Sequence, residues 1–253
     1  MAGNTAYIST HSAGALVFAR GLYAAAGCAR SRRGVVALLP ETRQDIKAML
    51  TCIMRMSYLT ICPKLVAYVE LDASGIHGAG GALSAAWLHR IRFLYFPFPR
   101  AFLLHGNAEI DESVAEILRG GQKASSGLLE MYAATVTIIT FRELLRGSTV
   151  VLCTDSTATV HAITKMYSPK PRTAQLLKYL AALAVSHDII IAPVHRPREM
   201  LAHVDALSHY DEVKFRSLVP DADLHATPVA PRVLSFLLDP TCLHETADVF
   251  GLL

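Results

Sequence analysis

Behind Leu39-Pro40, apolar residues fall at 46, 49, 50 and 53 with acids at the start of the run, a spacing that predicts an amphipathic helix over 41–58, ended before Pro63. From Leu65 the period changes to two. The stretch 65–72 (LVAYVELD) alternates and is rich in β-formers, so it reads as a strand. A glycine-rich turn follows, Ala73-Ser-Gly-Ile-His-Gly-Ala-Gly-Gly. Segments 82–88 and 91–98 read as two more strands, joined tightly near His89-Arg90 and stopped by Pro97 and Pro99. Together the three suggest an antiparallel meander.

Beyond residue 100 the pattern becomes helical. A short helix at 109–118 and a loop at 119–127 precede a long helix at 128–145. TVVLCT at 149–154 is a short strand of the buried type. Helices at 156–166 and 173–186 are separated by Pro169 and Pro171. DIIIAPVH at 188–195 is a strand, and 201–210 is a last helix. The order β-β-β-α-β-α-α-β-α predicts an α/β domain, a mixed sheet with helices on its faces. Residues 213–253 carry prolines at 220, 228, 231 and 240 and read as a loosely attached tail, with a short helix near 232–238.

Composition narrows the classes. With 253 residues, 52% apolar and 18% charged, the chain can bury a core and is not a disordered segment. Its longest uncharged apolar-rich runs, 131–141 and 189–194, are shorter than the ~20 residues a membrane helix needs, so no membrane partner is expected. Five scattered cysteines (28, 52, 62, 153, 242), with no Cys-x-x-Cys, suit free thiols in a reducing compartment, cytoplasmic or nuclear. The net charge of +3 says little, but its distribution says more. Residues 1–40 hold Arg20, Arg30, Arg32 and Arg33 and no acid. Such a start fits an organelle transit peptide or, the reading favoured here, the remnant of an upstream basic region.

Four carboxylates sit where a mixed sheet brings its strand ends together. Asp72 and Asp155 end strands, Glu130 lies near the start of the long helix, and Asp205 near the start of the last one. Four such acids repel unless a cation neutralises them, and hard divalent ions take carboxylate oxygens. A pair of ions about 4 Å apart can flank a phosphodiester, activating water and stabilising the leaving oxygen. Each acid also has a plainer reading. Asp155-Ser156 suits a helix cap, Glu130 an ordinary first-turn acid, and Asp205 a solvated helix face.

The residues around these acids resemble the type 1 ribonuclease H domain. Asp72-Ala-Ser-Gly and Gly78-Ala-Gly-Gly-Ala-Leu look like its first strand, turn and second strand. Leu129-Glu130-Met-Tyr-Ala-Ala looks like the helix carrying its glutamate. Thr154-Asp155-Ser156 is similar to its fourth-strand motif. His195-Arg-Pro and Val204-Asp205-Ala-Leu-Ser208 look like its closing segment, most of all in retrotransposon reverse transcriptases of the DIRS and related groups. The resemblance covers about 66–210 well and 41–58 loosely.

That resemblance implies a ribonuclease-H-like, mixed five-stranded sheet at 65–212. It implies an upstream connection remnant at 1–64 and a tail at 213–253. Asp72, Glu130, Asp155 and Asp205 would bind two Mg²⁺ (or Mn²⁺), and His195 would assist water delivery or product release. Ser74, Gly75, Ser156 and Thr157 would contact an RNA–DNA hybrid, whose RNA strand would be cut. Arg196 and Arg198 suit phosphate binding or plain solvated loop charges, as do Lys165, Lys170 and Arg172. An upstream polymerase domain of a parent polyprotein is the implied partner, since the chain contains no Tyr-x-Asp-Asp.

The chain also departs from the family pattern. Arg198 and Leu201 stand where the family often has glycine and asparagine, and the long stretch before Glu130 leaves Glu109, Glu112 and Glu116 as competitors for its role. A decayed, non-catalytic module that binds nucleic acid or protein therefore remains open. So does another nuclease of the superfamily, such as an integrase or proofreading exonuclease, which Glu130 pointing away from Asp72 and Asp155 would favour. His77, His203 and His209 read as turn or surface residues, Trp87 as packing, and Cys153 as inert core.

Overall fold

The computed structural model describes residues 40–56, 64–75, 77–99 and 126–236. The expected helix at 109–118, its three competing glutamates and the basic stretch 1–39 lie outside them.

Five strands form one sheet in the order β3-β2-β1-β4-β5. β1 (Val66–Ala73), β2 (Gly78–Ala85) and β3 (Arg92–Pro97) pair antiparallel. β4 (Thr149–Thr154) lies parallel to β1, and β5 (Ile190–His195) parallel to β4. This is the expected ribonuclease-H-like fold. The parallel register sets Glu70 against Cys153, which brings Asp72 and Asp155 level at the carboxyl ends of adjacent strands.

Alternation along β1 sends one set of its side chains into a core and leaves Val66 and Tyr68 exposed on the other face. Ala67, Val69 and Leu71 are fully buried in the larger core, under α2 (Ser126–Leu145) and α4 (Pro171–Ser186). α2 is buried on nearly every side, so its sequence shows almost no polar face. α3 (Thr157–Lys165) starts directly after β4, capped by Ser156, whose hydroxyl accepts from Thr159 N. α1 (Pro40–Met56) packs on α4, where Lys178 Nζ lies 2.6 Å from Asp45 Oδ1.

The other face carries a smaller core. A 3-10 turn at Arg198–Leu201 leads into α5 (Ala202–Ser208), and α6 (Glu212–Leu218) follows. Leu201, Val204, Leu207 and Phe215 meet Phe93 and Cys153 there.

Two expectations are corrected. Gly78–Gly81 belong to β2 rather than to a turn, pairing with β1 and β3, and glycines stand there because neighbouring atoms come too close for side chains. A Cβ on Gly80 would lie 2.4 Å from Leu207 Cβ and 2.7 Å from Val204 O, and one on Gly81 would lie 2.9 Å from Thr137. Of the expected tail, residues 213–236 are docked rather than loose, and 237–253 lie outside the described residues. Phe215 stacks 4.7 Å from Phe93, Ala222 bridges Ile91, and Thr227 N donates to Phe93 O. The last helix of the described residues, α7 (Pro231–Phe236), packs against α2.

Candidate metal centre

Asp72 and Glu130 are buried and Asp155 is half-buried, and one carboxylate oxygen from each lies within 4.8 Å of the others. The three arrive from β1, the second turn of α2 and the end of β4. Glu130 therefore points at the aspartates, and it is not a first-turn dipole partner.

Hydroxyls and amides fix this orientation. Glu130 Oε1 accepts from Ala73 N at 3.0 Å, and Oε2 accepts from Thr154 Oγ1 at 2.9 Å. Thr154 Oγ1 also accepts from Ser156 N at 3.1 Å, so one hydroxyl ties β4, α2 and the Asp155 turn together. Ser208 Oγ donates to Asp72 Oδ2 at 2.6 Å. Thr154 and Ser208 had no role assigned from sequence. The available signal was a hydroxyl next to Asp155 and another three residues after Asp205.

Burial raises both inner carboxyls against ionisation. Glu130 is pushed up from its ordinary value to about 8, by desolvation first and the charge of Asp72 second. Asp72 is also raised, mainly by burial, with the Ser208 hydrogen bond opposing and Asp205 and Asp155 adding to it. Convergent hard oxygen donors whose charges oppose one another suit a divalent cation. The donor set thus fits the group the fold family implies.

Asp205 stands just outside the triad. Its Oδ1 lies 2.5 Å from Arg198 Nη2, and its charge reaches Asp72. His195, paired with Thr154 across β4–β5, is exposed at the pocket mouth, with Nε2 3.1 Å from Asp155 O.

The expected nucleic-acid contacts divide. Ser74 is buried and its hydroxyl accepts from His77 N, while Ser156 spends its oxygen on the α3 cap. Gly75 faces open space and Thr157 is exposed. Arg196 is not a bare loop charge, since Nη1 lies 3.2 Å from Glu70 Oε1. His203 is likewise not a free surface residue, because Nε2 lies 2.9 Å from Glu70 Oε2. A groove of about 560 Å³ starts at Thr157 and is lined by Gly127, His161, Lys165 and Lys170.

No family model matches the chain, and no curated protein matches it. Among solved structures, it is similar to ribonuclease H1 from the halophilic archaeon Halobacterium salinarum NRC-1, with 13% identity and a TM-score of 0.37 over 59% of this chain and 97% of that one. It is also similar to LC11-RNase H1 solved with an RNA/DNA hybrid, with 19% identity and a TM-score of 0.37 over 57% of this chain and 93% of that one. Among the described residues, no helix is long and apolar enough to cross a membrane.

Proposed function

We propose that this chain is a divalent-cation-dependent nuclease that hydrolyses the RNA strand of an RNA–DNA hybrid, as the C-terminal part of a retroelement reverse transcriptase. The observation that carries the reading is the convergence of Asp72, Glu130 and Asp155, with oxygens within 4.8 Å of one another. The motifs around those acids supply the substrate class.

In this reading Asp72, Glu130 and Asp155 hold Mg²⁺ or Mn²⁺, and Asp205 completes the set. Bound ions lower the pKa of water and stabilise the leaving oxygen. Thr154 and Ser208 keep the inner carboxylates aimed, and preorganised charge of this kind needs little rearrangement during reaction. His195, exposed beside Asp155 O, assists water delivery or product release. Thr157, Lys165 and Lys170 line the groove in which a phosphate backbone would run. Thr157 offers an exposed hydroxyl and half-buried Gly75 an open side for the hybrid, whose RNA strand is distinguished by its 2′-hydroxyls.

A second reading, a non-catalytic module that still binds nucleic acid or protein, is favoured by one contact: Arg198 occupies Asp205. Incubating the full chain with labelled hybrid and Mg²⁺ decides between them. Cleavage of the RNA strand, lost in Asp155→Asn, supports the nuclease. Binding of hybrid without cleavage, together with no uptake of Mg²⁺ or Ca²⁺, supports the module.

A further inference from the structure

We propose that Arg198 is a tethered counter-cation that occupies the Asp205 side of the acidic pocket and competes with a divalent ion there. The proposal rests on the nuclease reading for the identity of the pocket. Its geometric basis is the contact of Arg198 Nη2 with Asp205 Oδ1 at 2.5 Å.

The two partners differ in exposure. The Arg198 side chain is 65% exposed, whereas that of Asp205 is 19% exposed. A guanidinium largely in water forms a weak and displaceable pair. Arg198 also sits in the 3-10 turn after β5, three residues from His195, outside the rigid sheet. Its charge is felt by Asp72 and Asp155 as well as Asp205, so it partly relieves the repulsion that otherwise recruits an ion. An ion reaching for Asp205 must displace it. Removing the guanidinium should therefore tighten ion binding, and mostly while Asp205 can still act as a ligand.

Calorimetric titration of the full chain with MnCl₂, without nucleic acid, tests this in wild type, Arg198→Gln, Asp205→Asn and the double variant. Arg198→Gln is expected to bind Mn²⁺ about three- to tenfold more tightly, given the weakness of exposed pairs and the double charge of the ion. In the Asp205→Asn background the gain is expected to shrink below about twofold. Equal affinity of wild type and Arg198→Gln overturns the proposal. An undiminished gain in the Asp205→Asn background also overturns it, because the effect is then one of field rather than competition. Absence of Mn²⁺ binding in all four proteins removes the metal centre, and the nuclease reading falls with the proposal. The Arg198 Nε–H NMR signal, assigned by its loss in Arg198→Gln, gives an independent readout. It should shift as Mg²⁺ saturates the pocket, and an unmoved signal counts against displacement.

Discussion

Ser208, on the closing helix, donates its hydroxyl to Oδ2 of Asp72 on the first strand, at 2.6 Å and across 136 residues of chain. The same hydroxyl lies 2.9 Å from Asp205 O, so it couples α5 to β1 at the pocket. Ser208→Ala should cost about 1.5–3 kcal/mol of stability, the usual range for a hydrogen bond to a charged group. It should also raise the Asp72 carboxyl further and weaken Mn²⁺ binding several-fold. Urea unfolding and a Mn²⁺ titration of the same variant check both effects.

Glu130 makes the ion-free protein sensitive to pH. Its carboxyl ionises near 4.5 when unfolded and near 8 when folded. Between those values the folded chain holds a proton that the unfolded chain releases. Stability is therefore full below about pH 4.5 and declines as pH rises to about 8. Asp72, also raised, acts in the same direction. Glu130→Gln cannot ionise. In EDTA it should exceed wild type by about 2–5 kcal/mol at pH 8.5 and match it near pH 5. Urea midpoints at the two pH values measure the difference, and a parallel pH dependence in both proteins would refute the assignment.

Thr154 is the stronger of the two donors, with Ala73 N, that oppose this rise. Thr154→Val keeps the shape of the side chain but leaves Glu130 Oε2 and Ser156 N without their partner. A loss of about 1–3 kcal/mol is expected for the unsatisfied groups. The alkaline shift of Glu130 should also move the pH profile of hybrid cleavage upward. Thr154→Ser, which keeps the hydroxyl, should retain both the stability and the profile.

Gly80 tests how closely β2 meets α5. Its Cβ would meet Val204 O at 2.7 Å and Ser208 N at 2.8 Å, and these are backbone atoms that cannot step aside. Gly80→Ala should cost about 3 kcal/mol or more and displace Ser208 from Asp72. Gly75→Ala meets nothing within 4 Å and should change stability by no more than about 0.5 kcal/mol. Thermal unfolding of the pair compares them directly.

The glycines also show what a single sequence conceals. Gly78–Gly81 carry the composition of a turn, yet they pair with β1 and β3, and the close approach of α5 and α2 accounts for the glycines at 80 and 81. The strand Thr149–Thr154 was legible because a short buried run needs no tertiary information. The acids at 72, 130 and 155 were legible for a related reason. Strand ends converge wherever the sheet is mixed, so order located Asp72 and Asp155, whereas the motif around Glu130 was needed to set it apart from Glu109, Glu112 and Glu116. The pairing of Glu70 with Arg196 and His203 joins residues more than 120 positions apart and leaves no local trace. The same holds for Arg198 on Asp205, where spacing gives no hint that the guanidinium turns toward the acid. The docking of α6 escaped because seven residues just before Pro220 look like tail. The Phe215–Phe93 contact that holds them is set by folding.

The most direct measurement is an anomalous difference map from crystals of the full chain soaked in MnCl₂. A manganese peak among the carboxylates of Asp72, Glu130 and Asp155, absent in Asp72→Asn, is the expected result. Well-ordered carboxylates with no peak between them at saturating Mn²⁺, or a peak bound only elsewhere, would contradict the metal centre and the hydrolysis assigned to it.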